Sequence, residues 1–506
     1  MTETQTTRAQ GAGAAFAYVT TLFFAWGFAT SLIDPLIAAV KGVFELNQTE
    51  ALLTQFAWFT AYGVVSLPAA AILSRLGYAR SIVGALGVMV LGGLIVPLST
   101  MMDFYPGVLV ALFVIASGVT LLQVAANPLA ASLGSSSGSH FRLVLSQAFN
   151  SLGTVLGPLL GATVMLSGGI FVAGGVTELA SLGAISLIAV GVVIGALGGL
   201  VVGAVRKDIK GWLVVGAALG LALGWIVFLQ HYLGGMDGGT ATTAAATIAA
   251  PPAPGSLDPA QRAQTLRNID TVFLALAGFF AVLGVFIWSI RGRLTIASGQ
   301  SETVSSPLKA LGSGWALFGG LAIFLYVGSE VTIGSQMTNL LHSEGTLGLP
   351  LEDAGRLVAL YWAGALAGRF AGSAFLTRVP AGILLTVCTV AAAVLCGVVT
   401  QTGGATAAFC ALAVGLFNSV MFPSIFTLTL ERSSAPPSAT SGLLCMAIIG
   451  GAALPLLAGR ITDLSGSLNL SFFVPMAGYV VLTVFAVLAT RRKVEQTDVV
   501  AAPASH

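Results

Sequence analysis

The chain has 506 residues, of which 56% are hydrophobic and only 8% charged, with a formal net charge of +2. Soluble domains carry about 25% charged residues, so the composition excludes an ordinary soluble protein and points to an all-α membrane protein. The small net charge and the absence of a basic stripe argue against nucleic acid as a partner, and 63 glycines suit helices packed closely in lipid.

The N-terminus up to Gln10 is polar and short, with no cleavable signal pattern, so the first apolar helix is expected to act as the signal. Apolar stretches near the ~20 residues that a span needs then recur at 16–40, 51–73, 81–101, 105–132, 143–166, 179–205 and 211–230. They continue at 271–290, 315–335, 354–376, 381–400, 405–430, 438–457 and 470–488. With the N-terminus inside, only Lys41, Arg262, Arg267, Arg356 and Arg460 of the 21 Lys and Arg fall on the outer side. The positive-inside rule therefore places both termini in the cytoplasm. Residues 234–256 are mostly Gly, Thr, Ala and Pro and read as an extended outer loop. The polar, Ser-rich stretch 291–309 reads as an inner linker between two halves. Cys388, Cys396, Cys410 and Cys445 sit in apolar stretches without metal-ligand spacing. His140, His231, His342 and His506 fall in loops or termini and pair with no other ligand at metal spacing.

Asp34 is the only charged residue between Arg8 and Lys41. A carboxylate inside a membrane helix costs roughly 2.5–3.5 kcal/mol, and protonation removes most of that. The alternative is an acid near the helix end that reaches the headgroups, which Pro35 and Lys41 keep open. The two halves of the chain also repeat. Gln123 and Pro128 stand five residues apart, as do Asn418 and Pro423; Gly153 precedes Pro158 by five, as Gly450 precedes Pro455. Asp34 has a counterpart in Glu330, in the span that opens the second half. Three matches in register suggest a duplicated bundle whose site lies between the halves near the midplane.

The stretches Phe23-Phe-Ala-Trp-Gly-Phe-Ala-Thr-Ser-Leu-Ile-Asp34, Ser117-Gly-Val-Thr-Leu-Leu-Gln-Val-Ala-Ala-Asn-Pro128 and Gln147-Ala-Phe-Asn-Ser-Leu-Gly153, which His140-Phe-Arg-Leu precedes, carry a family resemblance. So do Phe324-Leu-Tyr-Val-Gly-Ser-Glu-Val-Thr-Ile-Gly-Ser335, Tyr361-Trp362, Gly368-Arg369 and Val414-Gly-Leu-Phe-Asn-Ser-Val-Met-Phe-Pro423. The chain resembles the fucose:proton symporter family of the major facilitator superfamily, in particular its glucose/galactose transporter branch. The resemblance implies a major facilitator fold of two six-helix bundles working by alternating access. On that frame, residues 1–167 hold core helices 1–5, 168–267 an insertion with two extra helices between the fifth and sixth core helices, and 268–290 core helix 6. Residues 291–311 are then a cytoplasmic linker, 312–490 core helices 7–12, and 491–506 a cytoplasmic tail.

Two departures qualify the resemblance. Where the fucose symporter has an acid before x-Ala-Ala-Asn-Pro, this chain has Gln123, which shifts weight to the hexose branch. The superfamily loop that puts Asp before Arg-x-Gly reads Ser74-Arg75-Leu76-Gly77 here, without that acid, which puts the loop's inner-gate salt bridge in doubt.

The expected function is secondary active sugar transport, proton-coupled import of a glucose- or galactose-like hexose across the inner membrane, by a monomer without cofactor. Sodium coupling, another sugar such as fucose, N-acetylglucosamine or sucrose, and drug/proton antiport are the alternatives. An enzyme is not expected, since no nucleophile, base or metal cluster recurs on facing helices, and no nucleotide-binding loop is present. Asp34 and Glu330 are the candidate proton-coupling residues; for Glu330 a substrate contact or a structural pair is equally open. Gln123, Asn127, Gln147, Asn150 and Asn418 offer amide donors and acceptors suited to sugar hydroxyls, or hold helices together. Asn127 in particular is placed to satisfy the carbonyl that Pro128 frees. Trp26, Tyr361 and Trp362, with Tyr62 and Phe149, could supply flat faces for a sugar ring or merely pack. Arg369 is expected to anchor the inner end of its helix.

Overall fold

The computed structural model describes residues 3–32, 48–134, 138–165, 189–197, 208–236, 259–292 and 306–491, with isolated positions from 36 to 46. Asp34 and most of the insertion's first apolar stretch lie outside the described residues, as do Arg206 and Lys207.

The chain is helical throughout these residues. The first half comprises α1 (Glu3–Ser31), α2 (Gln48–Met101), α3 (Tyr105–Ser132), α4 (Ser139–Met165), α5 (Ile209–Met236) and α6 (Pro259–Ser289). The second comprises α7 (Gly314–His342), α8 (Leu351–Phe375), α9 (Ala381–Gln401), α10 (Gly404–Asn418), α11 (Met421–Arg432), α12 (Pro437–Met446), α13 (Gly450–Ser465) and α14 (Phe473–Arg491). The two spans expected at 51–73 and 81–101 are the arms of α2, joined at Gly77 with φ 74°, a left-handed conformation that glycine adopts without a Cβ penalty. The span expected at 405–430 is broken into α10 and α11, and that at 438–457 into α12 and α13 with a short 3-10 turn between.

Helix α6, which holds the stretch expected at 268–290, begins at Pro259. Its first turns are polar, so hydropathy does not register them. They are held by Arg262, which donates to the Val43 carbonyl at 2.9 Å and to Asp103 Oδ1 at 2.5 Å.

Packing follows the duplication. α1 lies on α4, and α2 on α3 and α6; in the second half α7 lies on α13 and α14, α8 on α10, and α9 on α10 and α14. The repeated glycines occupy equivalent contacts. A Cβ on Gly153 would strike the Phe24 carbonyl of α1, and one on Gly450 would strike the Phe324 carbonyl of α7. Each glycine lets the fifth helix of its half press against the first, as small residues do in lipid, where close packing replaces the hydrophobic drive. The halves meet where α12 crosses α2 and α3, and where α8 and α11 cross α4.

Helix α5, from the stretch expected to be an insertion, packs on α8 and α10, in the second half, although its sequence neighbours belong to the first. Trp225 is buried against Gly364, and Asp208 pairs with Arg378, whose guanidinium lies 5.7 Å from the Trp212 ring. On the other side Val214, Leu219, Leu223 and Val227 are exposed. α5 is thus a peripheral helix with an apolar outer face. Residues 189–197 form a helical stretch against it, with Gly191 and Gly195 at the carbonyls of Gly220 and Gly216.

Candidate functional site

Pro128 in α3 and Pro423 in α11 have no N–H, so each leaves a carbonyl four residues earlier without its helical donor. The two freed carbonyls are those of Val124 and Ser419. Ser441 Oγ, arriving from α12 in the other half, donates to Val124 O at 2.8 Å. Arg369 Nε, from α8, donates to Ser419 O at 3.2 Å. The repeated prolines therefore create the acceptors that tie neighbouring helices together. This corrects the expected role of Asn127, because the carbonyl freed by Pro128 is taken by Ser441.

Arg369 also departs from expectation. It is buried, and besides Ser419 it donates through Nη1 to the Gln147 carbonyl at 3.3 Å and to Ser151 Oγ, both on α4. It is a bridge between the halves rather than an anchor for its own helix end. Sequence hydropathy sees a cation about two turns from a helix terminus; only tertiary packing puts α4 across from it.

In the first half, the amides lie on two facing helices. Gln123 and Asn127 are one turn apart on α3, and Gln147 and Asn150 are neighbours on one side of α4. Gln123 Nε2 donates to Tyr62 Oη at 2.8 Å, Gln147 Nε2 to Asn127 Oδ1 at 3.4 Å, and Asn150 Nδ2 to the Phe23 carbonyl at 3.1 Å. Trp26 is buried with its ring 4.1 Å from that of Phe23. Among the described residues no side chain donates to the amide oxygens of Gln123 and Gln147.

In the second half, a carboxylate stands in a ring of hydroxyls. Tyr326, one helical turn before Glu330 on α7, places its Oη 2.8 Å from Glu330 Oε1 and 3.1 Å from the Asn418 carbonyl. A phenol has one hydrogen. Ionised Glu330 takes it; protonated Glu330 can donate to the Tyr326 oxygen and release that hydrogen to Asn418 O. Both ends of the Asn418 amide are engaged, with Nδ2 donating to Tyr361 Oη at 2.8 Å and Oδ1 accepting from Tyr479 Oη at 2.7 Å. Tyr361 in turn reaches the Glu330 carbonyl at 3.3 Å. Asn418 and all three tyrosines are 0% exposed, whereas Glu330 is half-buried. Trp362, 39% exposed, packs edge-on against Tyr361 with ring centroids 5.0 Å apart, its ring also lying against Gly334 of α7.

The geometry thus brings Gln123, Asn127, Gln147 and Asn150 together, and separately joins Glu330, Tyr361 and Asn418. Arg369 lies between the two groups. Sequence reading passed over Tyr479 and Ser441 as ligands of this network. Tyr326 stands one helical turn from Glu330, and that spacing is a signal; nothing in the sequence marks the other two.

Among the described residues, the polar contacts that join the halves include Arg369 with α4, Ser441 with Val124, and at the rim Ser139 and His140 with Thr427 and Glu431; Asp208, just before α5, also pairs with Arg378. The described residues are clasped at the end where α3 leads into α4.

No protein-family profile matches the chain. It is 34% identical over 493 residues to a glucose/galactose transporter of Brucella abortus (strain 9-941), covering 96% of this chain and 97% of that one. It is 24% identical over 484 residues to the L-fucose-proton symporter of Escherichia coli (strain K12), covering 93% and 92%. Among solved structures, the crystal structure of the major facilitator superfamily transporter FucP in the outward conformation superposes with a TM-score of 0.71 at 21% identity, covering 95% of this chain and 100% of that one.

Proposed function

Because the chain belongs to the fucose:proton symporter family of the major facilitator superfamily, alongside the glucose/galactose transporters, we propose that it is a proton-coupled hexose transporter. The observation that carries this reading is the amide cluster Gln123, Asn127, Gln147 and Asn150 on α3 and α4, facing a second half whose polar centre is Glu330. Amides both donate and accept, which matches the paired demands of sugar hydroxyls, and a carboxyl in a membrane interior can gain and lose a proton at modest cost relative to holding a bare charge there. The names of the relatives support a glucose- or galactose-like substrate.

In this reading Asp34 is the proton carrier of the first half and Glu330 its counterpart in the second. Trp26 and Trp362 offer apolar faces to the sugar, while Tyr361 and Asn418 hold Glu330 in place. The chain works as a monomer in the inner membrane with both termini in the cytoplasm, so the clasped end faces the cytoplasm. The insertion crosses the membrane twice. The test is uptake of labelled glucose, galactose, fucose, N-acetylglucosamine and sucrose into proteoliposomes, with an inward proton gradient, with a sodium gradient and with neither. Accumulation of a hexose that requires the proton gradient is expected. Equal uptake in all three conditions, or none of any sugar, would reject the reading.

A further inference from the structure

The missing Asp in the Ser74-Arg75-Leu76-Gly77 loop leaves the question of what closes the clasped end. The contacts at its rim answer it with a histidine. His140, at the start of α4, sets Nε2 3.2 Å from Glu431 Oε1 at the end of α11, and Nδ1 2.5 Å from Thr427 Oγ1 one turn earlier. Ser139 Oγ donates to the same Glu431 oxygen at 2.9 Å. The Thr427 hydroxyl lies 2.8 Å from the Pro423 carbonyl, the ordinary back-bond of a helical threonine, and so its oxygen is left to accept. A carboxylate can also only accept. Both ring nitrogens then face acceptors, and only the imidazolium carries two N–H groups. The neutral ring can be seated only if Thr427 turns its hydrogen away from Pro423, and it then loses the ion pair with Glu431.

We propose that His140 is a further titratable residue of the transport cycle: its protonation latches the two halves at the clasped end through Glu431 and Thr427, and its deprotonation releases them. The charged groups around the ring are few. From α11 it faces Glu431, which Arg432 also approaches at 3.3 Å. On α4 itself Arg142 turns to the carbonyls of Ala130 and Ala131. No ion pair to the ring from α1, α3, α6 or α8 is recorded among the described residues. The latch joins opposite halves, so its breaking is linked to their separation and not to the folding of either one. It acts on the conformational step and does not depend on which sugar is carried.

The test needs neither sugar nor gradient. Spin labels are placed on cysteines introduced at the exposed positions Leu76 and Ser434, which belong to opposite halves at this end. The four buried cysteines, Cys388, Cys396, Cys410 and Cys445, are replaced by alanine. Distance distributions of the full chain in lipid nanodiscs are recorded between about pH 8 and pH 5.5, the range in which histidine changes charge. The short-distance, closed population is expected to rise about tenfold relative to the open one as pH falls, the order expected for a hydrogen bond to a charged group. H140Q should flatten this step, and E431Q, which keeps the ring but removes the anion, should shrink it. A background without a step, or a step of unchanged size in both variants, would assign the closure to other groups and overturn the latch. Should H140Q fail to give a monodisperse protein, the E431Q comparison decides alone.

Discussion

A side chain in the membrane interior has either a partner or a task, and Gln123 and Asn418 divide along that line. Asn418 donates to one tyrosine, accepts from another and is sealed from solvent. N418A should therefore act on stability, with a loss of about 1–3 kcal/mol from hydroxyls left without their partner, seen as a lower midpoint of thermal unfolding in detergent. An unchanged midpoint with lost sugar affinity would make Asn418 a ligand instead. Among the described residues Gln123 bonds to Tyr62 and keeps its oxygen to spare. Q123A is expected to weaken sugar binding by about 1–3 kcal/mol while the protein stays monodisperse; equal affinity for every hexose tried, by titration calorimetry, counts against contact. For the acids, Asp34→Asn should abolish proton-driven accumulation and leave some sugar exchange, because coupling needs a site whose charge changes and binding does not. Glu330→Gln should be the milder change. Counterflow and gradient-driven uptake, measured side by side, separate the two activities, and equal loss of pH dependence in both variants would reverse the ranking.

Helices here are shaped by what proline removes. The break between α10 and α11 leaves Ser419 O for Arg369, and the unbroken α3 leaves Val124 O for Ser441. The same repeated residue thus ties a helix within the second half in one case and across the halves in the other. Helix α5 is an element of another kind. It adds an apolar face on α8 and α10 without contributing to the polar groups, so removing residues 168–258 should cost stability more than transport. Its topology is checked with K207C. A membrane-impermeant maleimide added to intact cells is expected to leave position 207 unlabelled, and to label it only after the membrane is opened. Labelling of intact cells would place the insertion on the outer surface.

Taken together, the halves are joined by a short set of contacts with Arg369 at their inner limit. A buried guanidinium bonded to both halves must lose its α4 partners whenever the halves part. R369Q should therefore lower the maximal rate of uptake, by roughly tenfold for ~1.4 kcal/mol of altered conformational balance, with little change in the sugar concentration at half-maximal rate. Initial rates over a range of hexose concentrations make the distinction, and an effect on half-saturation alone would place Arg369 at the sugar.

Much of this was legible along the chain. Low charge and ~20-residue apolar runs dictate membrane helices, because a backbone in lipid must satisfy its own hydrogen bonds. The register of Gln123 with Asn418, Gly153 with Gly450, and Pro128 with Pro423 discloses the duplication, because equivalent helices meet equivalent neighbours. Amides one turn apart on α3 and α4 also announce a polar face. Partners were another matter. That Ser441 rather than Asn127 answers Pro128, that Arg369 faces α4, that α5 joins the second half, and that His140 meets Glu431 are contacts between segments up to some 300 residues apart. No local periodicity encodes such contacts. They follow from how the helices cross, and crossing is decided by packing across the assembled bundle, where each small residue and each freed carbonyl finds its neighbour only after the halves have come together.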